Sequence, residues 1–99
     1  METKTMFVLK FIDPEYPIPG YITKGSILCG SIHRTFLTEY TFDTEEEARQ
    51  HITTCLNSGW YRSDITEDNF EVVEVKDYPG FGYGFCCTEE AYYERYKKF

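Results

Sequence analysis

Apolar and polar positions change rhythm several times along this chain, and each change predicts an element. Residues 6–12, Met-Phe-Val-Leu-Lys-Phe-Ile, form a short β-prone run closed by Asp13-Pro14. That pattern predicts a central strand. Residues 14–20 carry three prolines, which fix φ and remove donors, so a stiff polyproline-like connector is expected there. The Pro14-x-x-Pro17 spacing is read as part of that connector. Apolar residues on either side of Lys24-Gly25 predict a hairpin between residues 21–23 and 26–29. From 35 to 42 the alternation is clean, with Phe36, Thr38, Tyr40 and Phe42 on one face of an expected strand.

The next segment changes to helical spacing. Thr44 and Glu47 have the separation of a capping box. Glu45 and Glu46 fall where the helix dipole favours acids. Ala48, Ile52, Cys55 and Leu56 make one apolar stripe, and Asn57-Ser58-Gly59 supplies a stop. A helix over 45–57 follows. Trp60 and Tyr61 should return to the core or its edge, and 63–69 reads as a polar turn. Residues 70–76 are β-branched and predict a strand, and 77–80 a turn. Thr88 should cap a second helix over about 89–98, with acids at its start and lysines at its end. The whole chain, 1–99, reads as a single α+β domain. Its small antiparallel β-sheet carries one amphipathic helix, with a short C-terminal helix beside it.

Charge adds a feature that the rhythm does not show. The net charge is −7, and residues 39–77 hold eleven acids against three bases, so this middle segment carries the whole excess. Such a surface repels phosphates, which argues against nucleic acid, and attracts basic partners. The plainer alternative is a solvated face that keeps the protein soluble. Aromatic residues make up 18% of the chain, enough that rings must fill much of the core or an interface. No apolar run is long enough to span a bilayer. The first residues lack a signal-peptide pattern, so a cytoplasmic location with reduced cysteines is expected.

Four groups of residues could carry chemistry. Cys29/His33 and His51/Cys55 share a four-residue spacing, with Cys86-Cys87 further on. Without a CxxC knuckle, neither a metal nor any other cofactor is expected. The same thiols and imidazoles show no spacing that would assemble a catalytic dyad. Residues 80–85, Gly-Phe-Gly-Tyr-Gly-Phe, partly resemble the first signature strand of RNA-recognition-motif proteins, in which aromatics stack on bases. Pro79 and Gly84 depart from that pattern, and close backbone packing through glycine fits the segment better. The carboxylate pairs Glu45/Glu46 and Glu67/Asp68 lack the loop of a calcium site.

Three function classes remain: a protein-binding module, an RNA or single-stranded DNA binder, and a zinc- or thiol-dependent protein. The first needs no missing part. The junction Thr-Phe-Asp-Thr-Glu-Glu-Glu-Ala at 41–48, in so short and acidic a chain, resembles the small proteins of phages and mobile elements. Anti-CRISPR inhibitors are among them. The resemblance implies an inhibitor that occupies the basic surface of a partner, for example a nucleic-acid-binding enzyme. On that reading Glu45, Glu46, Glu67, Asp68 and Glu71 face the partner's cations. Phe81, Tyr83, Tyr92, Tyr93 and Tyr96 are the candidate aromatic anchors.

Overall fold

The computed structural model describes residues 4–29, 35–78 and 84–96, with only the backbone of 16–19, 95 and 96. Its strands are β1 (Thr5–Asp13), β2 (Tyr16–Ile22), β3 (Thr35–Leu37), β4 (Phe70–Lys76) and β5 (Phe85–Cys87). The helices are α1 (Glu45–Asn57) and α2 (Glu89–Tyr96). The strands form one antiparallel sheet in the order β2-β1-β4-β5-β3. This is a small α+β fold.

β1 is internal, as its apolar run predicts, and both of its faces are buried. Leu9 and Phe11 point to the α1 side, where they join Ile22, Phe42, Ala48, Ile52 and Phe70. Met6 and Val8 point the other way, into a second core with Tyr21, Phe36, Val75 and Cys86. The sheet curls around that second core. Phe7 exchanges two backbone hydrogen bonds with Phe42, of 2.9 and 2.8 Å. Because β4 lies on the other side of Phe7, the segment after β3 returns to the same edge of β1 that β2 uses further along.

α1 has the predicted bounds. Thr44 accepts from the Glu47 amide at 3.1 Å. The returning carboxylate of Glu47 takes the amide of Asp43 instead of Thr44, at 3.3 Å, so the capping box is displaced by one residue. Gly59 sits at φ +78° just past the helix, a conformation that costs glycine little. α2 is capped as expected by Thr88, whose hydroxyl accepts from the Ala91 amide at 3.1 Å.

Three sequence expectations are corrected. The proline-rich connector is mostly strand: Tyr16–Ile22 pairs with β1 as an edge strand. Its prolines fit because Pro17, Ile18 and Pro19 fall where the register slips, between the pairs Phe11↔Gly20 and Asp13↔Tyr16. Proline is tolerated in sheets at such edges and irregularities. The expected hairpin after Ile22 is absent, although Gly25 does make a tight turn at φ +87°. Residues 26–29 form no strand because side chains take their carbonyls. His51 Nε2 and Ser26 O lie 2.5 Å apart, and the Tyr61 hydroxyl donates to Ile27 O. The expected strand over 35–42 stops at Leu37 and becomes a 3-10 turn, Thr38–Tyr40. Thr41 Oγ1 closes that turn by donating to Thr38 O at 2.7 Å. This leaves Tyr40 exposed rather than in line with Phe36.

Candidate functional site

The acidic segment is distributed unevenly over the surface. Asp43 lies 3.8 Å from the Lys4 ammonium. Asp77 accepts from the Lys4 amide at 2.9 Å, and Asp64 from Arg62 at 3.1 Å. These acids serve local contacts. Others converge on a groove between α1 and β4, which Arg49, Glu67, Asp68 and Glu71 line. Buried Ile52 and Phe70 also line it.

Short-range chemistry fixes the shape of that rim. Glu67 and Asp68 lie in a 3-10 turn, Glu67–Asn69, held by a reciprocal cap. Thr66 Oγ1 accepts from the Asp68 amide at 3.3 Å, and Asn69 Oδ1 accepts from the Thr66 amide at 3.0 Å. Asn69 Nδ2 also donates to Ile12 O at 3.2 Å, which ties the turn to the end of β1. Glu71 stands opposite Lys10 across the β1–β4 pairing. Arg49, from α1, bonds Glu45 one turn back at 3.3 Å.

Three of the five acids expected to face a partner therefore line one groove. Glu67, Asp68 and Glu71 do so, whereas Glu45 bonds the lining residue Arg49 without lining the groove itself. Glu46 is exposed in the first turn of α1 but does not line the groove. Of the expected anchors, Tyr92 stacks on Tyr78 with ring centroids 4.4 Å apart and planes at 19°. Tyr93 is about half exposed and meets Tyr92 edge-on at 5.5 Å. Phe81, Tyr83 and the Tyr96 side chain lie outside the described residues, as does His33.

A second surface has no counterpart in the sequence reading. Arg62 makes two hydrogen bonds to Asp13, of 3.0 and 2.8 Å, and one to Asp64, with Glu15 at 3.9 Å. The hydrogen bond from Arg62, and then the Glu15 amide, hold the Asp13 carboxyl below its ordinary range. Beside this cluster lies a cleft of about 330 Å³, lined in part by Leu28, Cys29, Trp60 and Tyr61. Trp60 is 65% exposed and Leu28 is 44% exposed. Arg62 and Asp13 are far apart in sequence, so no local pattern announces their pairing.

Among the described residues, no three His, Cys, Asp or Glu side chains are grouped to hold a metal ion. All four cysteines are free thiols, and Cys55, Cys86 and Cys87 are buried. Burial pushes Cys55 up to about 11 and Cys86 up to about 12, so both thiols stay protonated at neutral pH. Activated nucleophiles show the opposite shift.

Protein-family models, curated proteins and solved structures were all compared with this chain, and none matches it. No helix among the described residues is long and apolar enough to cross a membrane.

Proposed function

We propose that this protein is a non-enzymatic binding module whose acidic groove docks a basic surface of a partner protein. The supporting observation is the placement of Glu67 and Asp68, from a capped turn, on one groove that Glu71 of β4 borders with its side chain on the opposite sheet face, and with a single cation, Arg49, on its lining. Local caps position these acids before any partner arrives, so little ordering cost is added on binding. Exposed acids speed encounter with a cationic surface and select against anionic ones. Beside them, partly buried Val72 supplies apolar area to desolvate. Occupying a basic surface that a partner needs for nucleic acid would make the module an inhibitor, which is the form of the proposal that the sequence resemblance favours.

Capture from cell extract tests the reading when wild type is compared with an E67K/D68K/E71K variant at low and moderate salt. Wild type is expected to retain a partner that the variant loses, and the complex should weaken as salt rises, because exposed charges are screened within about 8 Å at physiological ionic strength. Equal retention by both proteins would remove the groove from the interface.

A further inference from the structure

Among the described residues, one edge of the sheet is left open beside the acidic groove. β4 pairs with β1 along its full length, from Phe11↔Phe70 to Thr5↔Lys76, without a register shift. On its other side it meets β5 at a single pair, Lys76↔Cys87. The direction of each β4 backbone group follows from the antiparallel alternation. Phe7 spends its amide and carbonyl on Phe42, so residues 7, 9 and 11 point away from β4 while 6, 8 and 10 point towards it. Their partners Val75, Val73 and Glu71 therefore bond to β1, whereas Phe70, Val72 and Glu74 turn their amides and carbonyls outward. The Phe70 amide is taken by Glu67 O. Among the described residues, nothing else bonds the outward groups of Val72 and Glu74.

We propose that this outer edge of β4 accepts an extended, basic segment of the partner protein as an added strand. The inference rests on the reading of the acidic groove as a partner surface and specifies how the partner is held. Main-chain hydrogen bonds to Val72, Glu74 and the Phe70 carbonyl supply affinity, as in other strand-addition complexes. Side chains alternate across the two faces of an added strand. Those on the α1 side enter the groove beside Glu67 and Asp68, and those on the other side lie next to Glu71. Charge decides against a second copy of this chain as the occupant. Pairing two β4 edges would bring two acidic rims, each with Glu67, Asp68, Glu71 and Glu74, close together, and repulsion between like charges disfavours that approach. A lysine- or arginine-bearing strand converts the same positions into attractive pairs.

The test uses the full chain and an end-capped peptide of alternating valine and lysine, about seven residues long, matching an ordinary strand. Its comparator carries N-methyl groups on every second amide, which keeps the charge and removes one row of donors. In the free protein, the Val72 and Glu74 amides are expected to exchange rapidly with deuterium and to become protected when the plain peptide is added. N-methylation should weaken binding about tenfold or more, since two or three hydrogen bonds are lost. Glu74→Pro should do the same while Glu74→Gln has a smaller effect, because proline there removes an outward donor and spares every bond to β1. Equal binding of both peptides would overturn strand addition and leave the acidic groove as a plain electrostatic surface. Protection of Val72 and Glu74 already present in the free protein, a dimer that Glu74→Pro dissolves, or no binding of either peptide would also overturn it. The capture experiment with E67K/D68K/E71K judges the groove independently of these outcomes.

Discussion

Arg62 is the best-connected ion in the described structure, and its partners show how single residues set stability here. Asp13 accepts two of its hydrogen bonds with only 17% of its side chain exposed. Because the folded carboxyl is held below its ordinary range, its contribution is fully present above the unfolded carboxylate range near pH 4. It is lost as pH falls through the lower folded value. Asp13→Asn should therefore flatten the acid limb of a thermal-melting profile and leave the slope near neutrality unchanged. The thiols give a second residue-scale test. Cys29 is exposed, whereas Cys55, Cys86 and Cys87 are buried. An aromatic disulfide reagent should react rapidly with one thiol in the native protein and with all four after denaturation. Caps were legible at this scale: Thr44, Gly59 and Thr88 act within three or four residues of themselves. The Arg62–Asp13 pair was not, because its members meet only once β1 and the post-helix segment are folded against each other.

At the scale of elements, strong periodicity fared better than composition. The apolar stripe of α1 has Ala48, Ile52 and Cys55 buried, and β4 emerges with its predicted bounds. Ile52→Ala should destabilise the fold by about 2–5 kcal/mol in denaturant unfolding, the range for large-to-small changes in a packed core. Trp60→Ala, at an exposed position, should stay within about 0.5 kcal/mol. Thr44→Ala should cost about 1 kcal/mol through the lost cap. Where the reading failed, tertiary pairing outweighed a local rule. Prolines argue against a strand only when their missing donor is needed, and at 17 and 19 the register irregularity of an edge removes that need. Alternation from 35 to 42 promised a longer strand, but it could not show that Phe42 would be drawn to Phe7 on β1. The 3-10 turn between them accommodates the change of partner.

For the molecule as a whole, the useful sequence signal was the uneven charge of residues 39–77, and folding refines it. Some acids are spent on Lys4 and Arg62, and three others, Glu67, Asp68 and Glu71, are brought by a capped turn and β4 to one groove beside α1. Sequence order could name Glu67, Asp68 and Glu71 as candidates. It could not reveal the groove itself, whose shape depends on α1 lying across a curled sheet, nor the open edge beside it. The most direct measurement of this layout is an NMR titration of isotope-labelled protein with an oligolysine peptide. The account predicts chemical-shift changes centred on residues 45–49 and 67–74, diminishing as salt rises. Changes scattered over the whole surface, or centred on the Trp60 cleft, would contradict it.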